Sequence, residues 1–116
     1  WANFPADRQR LFYFIEKHKI GGVIMISGDT HWGELSKYQA KQNYPLWEVT
    51  SSGLTQKWKD VSPNKHRVGD STSEVNYGFI EIDWQQVDPN IEFGLKDING
   101  DITHKQSMPL SALQFK

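Results

Sequence analysis

The stretch Gly22-Val23-Ile24-Met25-Ile26-Ser27-Gly28-Asp29-Thr30-His31-Trp32 joins an apolar run to a short polar signature. The run Gly22 to Ile26 is too short to span a bilayer and has the length and β-branching of a buried strand, expected over Val23 to Ile26. A carboxylate and an imidazole two residues apart, just past a strand's end, stand where open α/β sheets place their chemistry. Gly28 allows a tight backbone turn, so Asp29 and His31 can address one ligand. Oxygen and nitrogen donors of this kind suit a divalent or trivalent metal ion, and such an ion suits phosphate chemistry. A turn-capping Asp and a hydrogen-bonded loop His can produce the same Gly-Asp-x-His, so its surroundings must decide.

Upstream, Phe4 to His18 reads as a helix. Pro5 is compatible with a first helical position, and Asp7 sits where the dipole favours an acid. Leu11, Phe14, Ile15 and His18 fall on one side at helical spacing, which makes His18 a partly buried structural residue. Gly21 and Gly22 are expected to end the helix. Helix, Gly-Gly and strand then form the αβ unit that precedes a catalytic loop.

Downstream, Glu34 to Tyr38 fits either a strand or a helix, and Lys41 to Pro45 breaks it. Leu46 to Ser51 alternates apolar and polar residues, predicting a strand with one face buried. Ser51-Ser52-Gly53 lacks the Gly-x-Ser-x-Gly elbow, and His66 has no Asp at an informative spacing, so a strand-ending turn is expected rather than a nucleophile. Gln56 to Val75 is polar and reads as a solvated excursion, in which His66 reaches phosphate only if the loop folds back over Asp29. The last third is β: Tyr77, Phe79, Glu81 and Asp83 oppose Gly78, Ile80, Ile82 and Trp84, and Ile91, Phe93 and Leu95 continue the alternation. Asn99-Gly100 predicts a hairpin, with a return strand over Ile102 to Gln106 and a terminal turn or helix over Pro109 to Leu113. His104 is expected at the surface.

The chain has 116 residues, enough for a single domain with its own core. Thirteen basic and fourteen acidic side chains leave a formal charge of −1, so no nucleic-acid or membrane footprint is visible. No apolar run is long enough to span a membrane. The absence of Cys excludes disulfides and thiolate ligands within the chain. Fifteen aromatic residues (five Trp, six Phe and four Tyr) are a heavy load for this length, and a mixed core is their ordinary destination. Trp1, Phe4, Trp32 and Trp58 are the candidates for exposure.

Four segments in order carry a resemblance: WANFPADRQRLFYF from Trp1, GGVIMISGDTHWGEL from Gly21, Leu46 to Thr55, and Asn76 to Ile82. Together they resemble the C-terminal part of alkaline phosphatase D (PhoD-like) proteins, within the calcineurin-like metallophosphoesterase superfamily. The resemblance implies an α+β or α/β fold. More specifically, it implies the β-rich C-terminal portion of a four-layer sandwich, with one N-terminal helix, a mostly β sheet and a C-terminal hairpin. It implies a phosphomonoesterase or phosphodiesterase in which Gly28-Asp29-Thr30-His31 is the last metal-binding motif. Asp29 then ligates metal, and His31 ligates metal or steadies the leaving oxygen as the catalytic residue, while Gly28 and Trp32 shape the loop. Iron and calcium are the ions the resemblance suggests, a phosphate ester the substrate, and export or the cell surface the destination.

The family's other ligand-bearing segments are not in these 116 residues. The chain is therefore expected to be a C-terminal fragment, inactive without the N-terminal half of its domain, and capable of self-association through a half-covered core. A free-standing β-rich interaction module without catalysis is the competing reading. It predicts a closed core, with Asp29 and His31 hydrogen-bonded locally.

Overall fold

The computed structural model describes residues 3–39 and 44–116. Trp1, and the break expected over Lys41 to Asn43, lie outside the described residues. Among the described residues one helix, α1 (Pro5–Lys17), precedes seven strands: β1 (Ile24–Ser27), β2 (Gly33–Tyr38), β3 (Leu46–Ser51), β4 (Arg67–Thr72), β5 (Asn76–Asp83), β6 (Asn90–Asp97) and β7 (Ile102–Pro109). A 3-10 turn, Leu110–Leu113, follows. The fold is thus a β-rich α+β arrangement closed by a C-terminal hairpin.

Two sheets form. The first has the order β1-β3-β2-β4, with β1 parallel to β3 and the other pairs antiparallel. The second is the meander β5-β6-β7. Its inner face presents Ile91, Phe93 and Leu95, all essentially inaccessible, to Leu35, Trp47 and Val49 of the first sheet. Trp47 meets Phe93 at 5.4 Å between ring centroids, in the edge-on geometry aromatic pairs prefer. Asn99-Gly100 makes the β6–β7 turn as expected: Gly100 takes φ +82°, and the Asp97 carboxylate accepts from the Asn99 and Asp101 N–H groups. Among the described residues, no helix is long and apolar enough to cross a membrane.

Several expectations need correction. The buried side of α1 is Phe12 and Ile15, while Phe14 and His18 stand exposed and touch each other at 4.4 Å between rings. Phe12 instead stacks on Tyr38 of β2 at 4.9 Å, which turns the helix about its axis relative to the expected face. The helix ends without using Gly21 or Gly22. Lys19 takes the left-handed conformation, and the Ile20 and Lys19 N–H groups close onto the Ile15 and Glu16 carbonyls, a Schellman stop.

The strand after it begins at Ile24 and is not fully buried. β1 is hydrogen-bonded to β3 on one side only, and Ile26 remains 75% exposed. Conversely β3, expected to bury one face, is covered on both: it lies inside the first sheet, with Phe12 of α1 on the side of Leu46 and Glu48 and the meander over the other face. The polar stretch 56–75 contains β4, which pairs with β2 across a bulge. His104 is half-buried and bridges the sheets, its Nε2 lying 2.9 Å from the Asp70 carbonyl of β4.

Tyr44 fastens the sheet to the turn after α1. Its ring is buried edge-on against Phe115, and its hydroxyl donates to the Ile20 carbonyl at 2.6 Å. Burial pushes the phenol above its ordinary value, with a backbone hydrogen bond from Val23 working against the shift. Because the folded state holds this proton more tightly, its contribution is complete below about pH 10 and is lost as pH rises through the folded-state value. Tyr44→Phe is expected to abolish that share of the alkaline loss while lowering neutral-pH stability by about 1 kcal/mol, read by urea denaturation across pH 7 to 11.

Candidate active-site loop

The Gly28-Asp29-Thr30-His31 segment leaves β1 beside the C-terminal end of β3. Ser27 and Thr50, register partners on these parallel strands, share a side-chain hydrogen bond at 2.9 Å and hold the strand ends together. Beyond them the chain turns through two left-handed residues, Asp29 at φ +70° and His31 at φ +62°. Gly28 is not among the left-handed positions. A methyl group there would make ordinary contact with Ser52, so Asp29 and His31 themselves bend the loop.

The His31 backbone is held from both sides. Its N–H donates to the Ser52 hydroxyl at 2.9 Å, and its carbonyl accepts from the Trp58 N–H at 3.0 Å. The Ser52 N–H in turn reaches the Trp32 carbonyl at 3.3 Å. Asp29 is exposed, His31 half-buried and Trp32 only 9% exposed. Trp32 was expected among the exposed aromatics; it immediately precedes β2 and is buried, whereas Phe4 and Trp58 are exposed as expected. The Thr30 hydroxyl, between the two donors, is buried without a hydrogen-bond partner.

Sequence reading missed Asn76, the residue that ties this loop to the second sheet. Asn76 is 2% exposed; its amide oxygen accepts from the Ser51 hydroxyl at 2.8 Å and its amide nitrogen donates to the Glu74 carbonyl at 2.8 Å. The side chain fills a slot that only glycines leave open. A Cβ on Gly33 or Gly53 would come within 2.6 or 2.4 Å of it. The available signal was an amide at the start of an alternating apolar strand, set against two glycines at strand ends.

The polar loop does fold back onto the loop, but it brings Trp58 to His31 rather than His66. His66 lies at the other end of β2, edge-on to Tyr38 at 5.3 Å between rings. Ser51 ends β3 and Ser52 supports the His31 backbone, so the serines are structural here. Between β1 and β5 the two sheets part, leaving an open cleft of about 490 Å³ that Ile26, Val49 and Ile80 line and that reaches Gly28.

Carboxylate and imidazole are donors of the right kind for a divalent or trivalent ion. Number is the shortfall: among the described residues no group of three His, Cys, Asp or Glu side chains could hold a metal ion. Asp29 and His31 therefore fit as part of a donor set.

Comparison with curated proteins returned no match, and comparison with solved structures returned none either. A family model, PhoD-like phosphatase, matches residues 1–98 and so takes in α1, both glycine-flanked ends of the Asn76 slot and the Asp29–His31 loop. The chain belongs to the PhoD-like phosphatase family.

Proposed function

We propose that this chain contributes Asp29 and His31 to a metal-dependent phosphoester-hydrolysing centre of the calcineurin-like metallophosphoesterase kind, the remaining donors coming from outside the described residues. The observation that supports this reading is the backbone at Asp29 and His31. A left-handed residue with a Cβ costs roughly 1–2 kcal/mol, and glycine would occupy both positions without that cost. Two such residues separated by one, on a loop held at Ser52 and Trp58, are strain retained for the sake of their side chains. When bound, the ion would polarise the phosphoryl group and offset its developing charge.

The chain's own share is positioning. With the His31 N–H and carbonyl both engaged, the imidazole can move only about its side-chain torsions. The carboxylate of Asp29 is solvent-facing, open to an ion or to a phosphate carried on one. On this reading the parent activity is hydrolysis of a phosphomonoester or phosphodiester, with Asp29 as metal ligand and His31 as ligand or as the group that steadies the leaving oxygen.

The test uses Mn²⁺ as a paramagnetic probe on the 116-residue chain, alongside hydrolysis of an aryl phosphate ester wherever the full donor set is present. Amide signals of Asp29 to Trp32 are expected to broaden first. Asp29→Gly and His31→Gly should each remove that broadening and the hydrolysis, yet leave unfolding free energy within about 1 kcal/mol, since strain relief offsets the entropy of the added glycine. Broadening centred elsewhere, or glycine variants that keep both signals, would overturn the assignment.

A further inference from the structure

Among the described residues two indoles are exposed, and they lie at opposite ends of the molecule. Trp84 follows β5 at its far end, about 25 Å along the strand from Asn76. Trp58 is 52% exposed and stands at the loop itself, because its own N–H donates to the His31 carbonyl at 3.0 Å. That bond places the Trp58 Cα one hydrogen-bonded peptide away from the His31 backbone. Of its two sequence neighbours, Lys57 is committed to another partner. Lys57 hydrogen-bonds Glu74 at 2.6 Å and, together with the charge of Lys59, holds that carboxyl below the ordinary glutamate range. Trp58 joins no aromatic or cation–π pair among the described residues.

A large flat ring left open beside a strained, chemistry-bearing loop, on a segment anchored to that loop's backbone, is a stacking platform. We propose that Trp58 is a specificity-determining residue that stacks on the substrate's alcohol portion, so that the centre at Asp29 and His31 prefers phosphate esters carrying a planar aromatic group. The inference rests on the phosphoesterase reading above and adds the class of ester. The main-chain tether matters to it: substitution at Trp58 removes the ring and leaves the His31 hydrogen bond, which is made by the peptide N–H.

Phenyl phosphate, n-butyl phosphate and inorganic phosphate would be titrated into the chain supplemented with diamagnetic Mg²⁺, which does not broaden the loop's signals, with affinity read from amide shifts at His31 and from the Trp58 indole signal. Phenyl phosphate is expected to bind about tenfold more tightly than butyl phosphate, in line with a single stacked ring, and to move the Trp58 indole resonance. Trp58→Leu should bring phenyl phosphate down to the butyl level without changing inorganic phosphate, and Trp58→Phe should keep most of the preference. Equal binding of the two esters, or a preference that survives Trp58→Leu, overturns the stacking role while leaving the phosphoesterase reading intact. Failure of all three phosphates to shift His31 overturns both.

Discussion

Gly94→Ala is expected to be the most damaging single-methyl change in this chain, costing on the order of 4–5 kcal/mol and leaving little folded protein under mild denaturant. Gly94 lies mid-strand in β6, opposite Lys105 of β7 and Phe79 of β5. Thr103 is an extra residue in β7: Leu95 pairs with His104 but Lys96 pairs with Ile102. That bulge brings the backbone of β7 over Gly94, so a Cβ there would sit 1.8 Å from the His104 carbonyl oxygen and 2.7 Å from its carbon. Neither neighbour is a side chain that can swing away. Either β7 separates from β6 or the bulge is lost, and both outcomes break the meander that covers Trp47 and Val49. Urea denaturation of Gly94→Ala, compared with Gly69→Ala as a control where nothing lies within 4 Å but φ is +70°, checks the magnitude and its cause. A loss no greater than the control's would show that β7 can shift freely.

Arg67→Met should come next, at about 3–5 kcal/mol, because it strands a buried carboxylate. Glu34 of β2 is 6% exposed on the face beneath α1, paired with the Arg67 guanidinium and receiving the Asn64 amide, which also bonds Ser36 at 2.8 Å. Arg67 additionally donates to the Ser62 carbonyl at 2.7 Å, so it draws the 62–66 turn onto the sheet. Removing the cation leaves Asn64 as the only hydrogen-bond donor to Glu34 among the described residues. The double variant Arg67→Met with Glu34→Gln should recover at least 2 kcal/mol of the loss, since the charge has gone with its partner. Simple additivity of the two single changes would mean that the pair is uncoupled and that Arg67 acts through Ser62 alone.

What could be read from the sequence divides along physical lines. Alternation at Ile91, Phe93 and Leu95 of β6 and the Asn99-Gly100 turn were legible because the inner face of that central strand is buried and the turn needs a left-handed residue, whereas β5 alternates in sequence but leaves Tyr77, Ile80 and Ile82 exposed. β4 was not: Arg67-Val68-Gly69-Asp70-Ser71-Thr72 has one aliphatic side chain and is held by backbone pairing to β2, which leaves no hydrophobic period to find. The face of α1 was misjudged because Ile15 lies between Phe12 and Phe14 round the helix, about 60° from the first and about 100° from the second, so either can share its side, and stacking on Tyr38 selected Phe12. At the loop, a carboxylate and an imidazole after a strand drew attention by chemical type. Their left-handed backbone did not, since Gly28 looked like the bending residue. Asn76 escaped because its function depends on the space left by Gly33 and Gly53, one of them 43 residues away, and no local window contains all three.

That slot also sets the timescale on which the loop can open. Gly33 continues directly from Trp32, and it is wedged against Asn76 and the Leu95 side chain of the other sheet. Separation of the sheets releases together the anchor of Gly33, at the start of β2, and that of Gly53, just past the end of β3, at the same end of the pair. The Asp29–His31 loop is on the surface, yet the strand residue that follows it is expected to open only when the two sheets separate. Amide hydrogen exchange at Leu35 should then match the slowest protons of β6, and Asn76→Ala should accelerate both together. Fast exchange at Leu35 beside protected β6 amides would show the two sheets opening as separate units.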